Sequence, residues 1–148
     1  MSAFNAERMR VSLHERLLMP DYKILIADDD PVLAATMSGA LASRGYAVVI
    51  ARDAMQAFMF AVQQPPSAIL LDINMPAGTG HGALTKLQAS ARTSAIPVLV
   101  VSGSSDLTLP ATVRAEGAAG FFRKPVDLDA LCARLEALLP SAAHSASS

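Results

Sequence analysis

The sequence predicts an open α/β fold, a parallel sheet of five strands covered by helices on both faces. Three observations predict it. Short apolar runs recur five times, each is followed by a segment with helical apolar spacing, and the whole chain has only 148 residues. Repeated βα units give parallel strands because right-handed crossovers lay their helices against the sheet. A closed eight-stranded barrel of such units needs roughly 250 residues. The sheet therefore stays open, and its chemistry belongs just beyond the carboxyl ends of the strands.

Each element has a local reason. Ile24-Leu25-Ile26-Ala27 reads as a strand buried on both faces. Asp30-Pro31 then supplies an N-cap and a first helical residue. Val32, Leu33, Met37, Ala40 and Leu41 keep a helical period, and Gly45 stands where the helix end needs positive φ. Ala47 to Ile50 is the second strand. Asp53 caps a helix through Phe58, Met59 and Val62, which Pro65-Pro66 ends. Ala68 to Leu71 is the third strand, and a loop from Met75 to Gly80 leads into a helix carrying Leu84 and Leu87. Pro97 to Val101 is the fourth strand. Gly103, Ser104, Ser105 and Pro110 crowd the start of the next helix, which is expected over Ala111 to Glu116, before Gly117. Gly120-Phe121-Phe122 is a short fifth strand. Asp127 caps a last helix with Leu128, Leu131, Leu135, Leu138 and Leu139 inward, ended by Pro140.

Two segments flank this core of residues 21–140. Residues 1–20 end at the Pro20-Asp21 turn signal, and Met9, Leu13 and Leu17 repeat at i, i+4, as a short amphipathic helix would. Two roles fit that extension, packing as an extra helix or dimerising. Residues 141–148 are small and polar and read as a frayed tail.

Composition excludes several classes. Twelve basic against thirteen acidic side chains leave a net charge of −1, which offers no electrostatic case for nucleic acid. Cys132 is the single cysteine, so a disulfide framework and a thiolate zinc site are both excluded, and a cytoplasmic setting is expected. No apolar run reaches the roughly 18 residues that span a bilayer.

The polar residues gather at strand ends. The first strand is followed by Asp28, Asp29 and Asp30; the third by Asp72 and then Asn74; the fourth by Ser102; the fifth by Lys124-Pro125. If the first and third strands are neighbours, Asp28, Asp29 and Asp72 converge. Three carboxylates so close repel one another and raise each other's pKa. A Mg²⁺ ion offsets this with few protein ligands. Asp29 and Asp72 would bind it directly, Asp28 through water, and the Asn74 main-chain carbonyl would add a third oxygen. Lys124 supplies the remaining positive charge. In that setting Asp72 is placed to attack phosphorus and form an acyl phosphate, with the metal and Lys124 stabilising the equatorial oxygens and Ser102 donating to one of them.

Plainer readings cover other residues. Asp30, Asp53 and Asp127 are helix caps, and Cys132 is a buried filler on an apolar helix face. His81 reads as a solvated helix start. His14-Glu15 with Pro20 is similar to the phospho-accepting box of histidine kinases, but no helical hairpin or ATP-binding portion accompanies it.

Taken together, the residues resemble the receiver domain of two-component response regulators. The resemblance covers about residues 21–140. It rests on Ile24 to Pro31, on Leu71-Asp72-Ile73-Asn74-Met75-Pro76, on Val101-Ser102-Gly103 and on Phe121-Phe122-Arg123-Lys124-Pro125. It implies a flavodoxin-like (βα)₅ sheet of strand order 2-1-3-4-5. It implies that Asp72 is phosphorylated by a sensor histidine kinase or a histidine phosphotransfer protein. Asp28 and Asp29 would be the Mg²⁺ acids, Lys124 the phosphate-binding lysine and Ser102 the switch hydroxyl. Phe121 would be the aromatic that turns inward with it, and the Lys124-Pro125 peptide would be cis. The output surface would be the fourth helix, fifth strand and fifth helix. Gly78-Thr79-Gly80 departs from the family's apolar residue, acid and glycine, which loosens the loop beside Asp72.

With eight residues after Pro140, the expectation is a stand-alone receiver that signals through protein contacts and catalyses only its own phosphorylation and dephosphorylation. A second reading is a phosphatase similar to the haloacid dehalogenases, with Asp28 as nucleophile and Asp30 as general acid. It lacks that family's further acidic pair after the lysine and leaves Asp72 to Pro76 unexplained. A flavin module is disfavoured because three acids would repel the flavin phosphate.

Overall fold

The computed structural model describes residues 22–75 and 80–139. The extension over 1–20, the middle of the glycine-rich loop and the tail from 141 lie outside the described residues. Strand and helix alternate without exception. In chain order they are β1 (Lys23–Ala27), α1 (Pro31–Ala42), β2 (Ala47–Ala51), α2 (Ala54–Gln63), β3 (Ala68–Asp72), α3 (Gly80–Ala89), β4 (Val98–Ser102), α4 (Leu109–Ala115), β5 (Gly120–Arg123) and α5 (Leu128–Leu138). The strands form one parallel sheet in the order β2-β1-β3-β4-β5.

That order puts β1 and β3 side by side near the middle. Ala27 pairs with Leu71, so the next residue of each strand, Asp28 and Asp72, emerge together at the sheet's carboxyl edge. β3 and β4 are buried at every position, whereas the edge strand β2 is only half-buried along most of its length. Apolar side chains alternate between two cores. Leu25, Ile69, Leu71, Val98 and Val100 meet α2, α3 and α4 on one face. Ile24, Ile26, Ala68, Leu70 and Leu99 meet α1 and α5 on the other.

The expected caps form. Asp30 accepts from the amides of Val32 and Leu33, Asp53 from Gln56 and Asp127 from Ala130. Cys132 is buried between α5 and the sheet.

Two expectations, the start of α4 and the place of Val32 in α1, need correction. α4 begins at Leu109, not Ala111, because Pro110 falls in the first turn, where its missing N–H costs nothing. α2 turns Ala54, Ala57 and Ala61 fully inward, with Phe58 half-buried against the same core and Met59 45% exposed. The small methyls let α2 lie close to the sheet, and Phe60, like Phe58, packs half-buried against the same core. In α1, Ala34 takes an inward place and Val32 is 73% exposed.

Two helix ends turn on glycines with positive φ. Gly45 (+94°) donates to Ala42 while Tyr46 donates to Leu41, and Gly117 (+108°) donates to Arg114 while Ala118 donates to Val113. Both are paired closures that satisfy the last carbonyls. They differ in surroundings. A Cβ on Gly45 would meet nothing within 4 Å, whereas one on Gly117 would lie 2.6 Å from Gln88 Cδ. Gly45→Ala is expected to cost about 1–2 kcal/mol, the backbone strain alone. Gly117→Ala is expected to cost more, up to about 3 kcal/mol, because Gln88 must also move. Equal urea midpoints for the two variants would contradict this.

Candidate functional site

The site forms because three buried strands end in oxygen-bearing side chains. Asp28 is 1% exposed, Asp72 4% and Ser102 0%, while Asp29, one residue further on, is exposed. The structure brings together Asp28, Asp29 and Asp72, and one carboxylate oxygen from each lies within 4.8 Å of the others. Lys124 reaches across from the end of β5. Its Nζ stands 3.3 Å from Asp28 Oδ2 and 3.3 Å from Asp72 Oδ2. Its backbone amide donates to the Ser102 carbonyl at 2.8 Å, and the peptide that follows it, Lys124-Pro125, is cis.

Local hydrogen bonds aim the carboxylates. Asp28 Oδ1 accepts from the Asp30 amide at 2.8 Å, and Asp72 Oδ1 accepts from the Asn74 amide at 3.0 Å. Each acid thus spends one oxygen on its own turn and presents the other inward. Burial pushes the Asp28 carboxyl above its usual range, and the Asp72 charge adds to this; the Asp30 amide and Lys124 offset only part. Burial alone would lower the Lys124 pKa, but the two carboxylates outweigh it and leave the ammonium held more tightly than usual.

Three carboxylates facing one ammonium leave two negative charges uncompensated. Asp28 Oδ2 is buried and, among the described residues, has no aligned hydrogen-bond donor, although Lys124 is near it. A buried charged oxygen without a partner is costly. The donors are all hard oxygens, so the residues present fit a divalent cation of the Mg²⁺ type.

A stability test follows from this charge balance. At neutral pH and without divalent cation, Asp28→Asn is expected to stabilise the fold by about 1 kcal/mol, as neutralising a strained site commonly does. Because the folded-state pKa of Asp28 is raised, its penalty is present in full above that pKa. It fades as pH falls through that pKa, where the folded state takes up the proton first. The gap between wild type and variant should therefore narrow in acid, and added Mg²⁺ should narrow it at neutral pH. Thermal melts across pH check both; a variant less stable than wild type throughout would contradict the account.

The remaining expected residues sit near the site in different ways. Ser102 is buried, and its Oγ accepts from the Ser104 amide at 3.1 Å. Phe121 is half-buried against the core of α2, α3 and α4. Asp30 is occupied as the cap of α1, which takes away the general acid that a phosphatase based on Asp28 would need.

Other features were not legible in the sequence. His81 is not simply solvated: its Nδ1 lies 2.8 Å from Glu116 Oε2, tying the start of α3 to the end of α4. The Arg123 guanidinium covers the Phe121 ring at 5.3 Å. Thr93, fully buried, donates to the Leu87 carbonyl at 2.7 Å and closes the end of α3. Pairs separated by 35 residues carry no local sequence signal; the Phe-Phe-Arg run could have pointed to the ring contact. A cavity of about 210 Å³ lies elsewhere, lined by Lys23, Leu25, Val49, Phe60, Gln63, Gln64 and Pro66, and no residue of the acidic cluster lines it.

Comparison with known proteins agrees with this geometry. Residues 24–136 match the response regulator receiver domain family. The chain is 33% identical over 117 residues to protein PilH of Pseudomonas aeruginosa, covering 79% of this chain and 97% of PilH. Other curated relatives are transcriptional regulators, and the chain spans about half of their length (48% and 53%). Among solved structures, the chemotaxis response regulator CheY4 of Vibrio cholerae superposes with a TM-score of 0.75 at 26% identity, covering 81% of this chain and 100% of that one. The receiver domain of the sensor histidine kinase PA1611 of Pseudomonas aeruginosa, which holds a magnesium ion in its cleft, superposes at 0.74 with 24% identity, covering 80% and 98%. No described helix is long and apolar enough to cross a membrane.

Proposed function

Because the chain belongs to the response regulator receiver domain family, we propose that it is a phosphorylation-dependent switch whose acceptor is Asp72. The donor is a phosphohistidine on a sensor histidine kinase or a histidine phosphotransfer protein. An Asp72 carboxylate oxygen attacks phosphorus, the P–N bond breaks, and its electron pair returns to the imidazole. The products are an acyl phosphate and a free histidine. Water later cleaves the acyl phosphate to restore the carboxylate and release inorganic phosphate. The chain acts on no other substrate.

The observation that carries this reading is the placement of Asp72 Oδ2. It lies 3.3 Å from the Lys124 ammonium, and Asp72 contributes an oxygen to the cluster whose ligand atoms fall within 4.8 Å of one another. Asp29 and Asp72 would hold Mg²⁺ directly, Asp28 through water, and the Asn74 carbonyl would complete the protein's share. When bound, the cation neutralises charge on the acids and on the incoming phosphoryl oxygens. Lys124 pairs with a phosphoryl oxygen in place of Asp72 Oδ2. Ser102 Oγ leaves the Ser104 amide to donate to another, and Phe121 moves inward with it. Such a shift follows only if the phosphoryl group binds the rearranged site better than the resting one.

The receiver module spans 21–140, with 1–20 and 141–148 flanking it, and it works in the cytoplasm through protein contacts on α4, β5 and α5. Incubation with acetyl phosphate and Mg²⁺, followed by intact-mass measurement, tests the assignment. One phosphoryl group per chain is expected, dependent on the divalent cation and released by hydroxylamine. Absence of an adduct with Mg²⁺ present would overturn it, as would label on Asp28.

A further inference from the structure

Neither the cation site nor the phosphoryl chemistry uses the contact between Arg123 and the loop from β4 to α4. That loop is a ladder of bonds two residues apart. Ser102 Oγ accepts from the Ser104 amide (3.1 Å), Ser104 Oγ from the Asp106 amide (3.1 Å), and Asp106 Oδ1 from the Thr108 amide (2.8 Å). The hydroxyl expected to move is thus the first rung of a ladder that ends at the first turn of α4. The Asp106 carbonyl accepts from the Leu109 amide at 3.4 Å and from Arg123 Nη2 at 3.3 Å. Arg123 pairs with Ser102 across β4 and β5, and its guanidinium also covers the ring of Phe121. One planar cation therefore touches both the loop and the aromatic that are expected to move together.

We propose that Arg123 is a positioning residue for this loop: it pins Asp106 to β5 and covers Phe121, so that departure of Ser102 reaches α4 only when the pin releases. The inference rests on the reading above in one respect, that a phosphoryl group is what draws Ser102 away. Arg123 Nη1 is buried and, among the described residues, lacks an acceptor. An unsatisfied donor weakens the pinned form, which keeps release within reach. The loop itself is poorly buried, with Leu107 88% exposed, as expected of a segment that opens locally.

Amide hydrogen exchange on the full chain, without phosphodonor, tests this. In Arg123→Met, which keeps an apolar stem, amides 103–109 should exchange about fivefold faster, the scale set by one lost hydrogen bond and one exposed cation–π contact. Amides of β1 and β4 should not change. Arg123→Lys, which keeps the charge without the planar fork, should fall between. Unchanged loop exchange in Arg123→Met overturns the proposal, and so does an acceleration spread equally through β4 and β5. This comparison does not involve Asp72. Failure of acetyl phosphate to label the protein would therefore sink the Asp72 assignment and not the pin, and unchanged exchange would do the reverse.

Discussion

Asp72→Asn is expected to remove phosphorylation by acetyl phosphate and Mg²⁺ down to background, a loss of about 10⁴-fold or more on the scale that deleting a nucleophile costs. The amide has no oxygen basic enough to attack phosphorus, and nothing nearby replaces it. Asp28 faces the same ammonium, but its remaining oxygen, Oδ2, is itself buried. Asp29 is exposed and one residue displaced from the strand end. The fold should survive the change. The amide keeps an oxygen for the Asn74 amide bond, and one of three mutually repelling charges is gone. A melt at or above the wild-type midpoint, together with absent label, separates loss of chemistry from loss of structure. Full labelling of Asp72→Asn would show that another residue is the acceptor.

Lys124→Met should have the second-largest effect, and it acts on two properties at once. Removing the one ammonium in the cluster takes away a charge aimed at the phosphoryl oxygens, which is expected to slow labelling by about 10²–10³-fold. It also leaves Asp28 and Asp72 facing each other without a cation. The apo fold should lose about 1–3 kcal/mol, the cost of stranding buried charged groups. Mg²⁺ should recover part of that loss. The sign with pH is definite. The Lys124 pKa is raised in the folded protein, so its stabilisation is complete below the unfolded-state value and disappears as pH rises through the higher folded-state value. The difference between wild type and variant should hold through neutral pH, close in strong alkali, and shrink in acid as Asp28 takes up its proton. Labelling of Lys124→Met at the wild-type rate would remove the lysine from the chemistry.

Much of the fold could be read directly. Runs such as Ile24 to Ala27 and Ala68 to Leu71 are apolar on both faces, and only a doubly covered parallel strand uses such a run fully. Asp30, Asp53 and Asp127 marked helix starts because a cap is a bond between residues two or three apart. Gly45 and Gly117 marked helix ends for the same local reason. The inward face of α2 was not legible, because methyl-sized Ala54, Ala57 and Ala61 carry little hydrophobic signal. Their burial reflects how closely α2 can approach the sheet, and no window of sequence contains that distance.

For the acidic cluster, linear order supplied the participants: one acid-bearing end after β1, another after β3, a hydroxyl after β4, a lysine after β5. Interactions set by neighbours along the chain were therefore legible. Their convergence came from strand order and register, which seat Asp28 beside Asp72 and let Lys124 bridge them at 3.3 Å. The same packing joined His81 to Glu116 and Arg123 to Asp106. Those pairs depend on how two faces of a sheet and its helices meet in space. A one-dimensional pattern names the groups, but Coulombic and hydrogen-bonding energies are functions of separation, and separation is defined only once the core has closed.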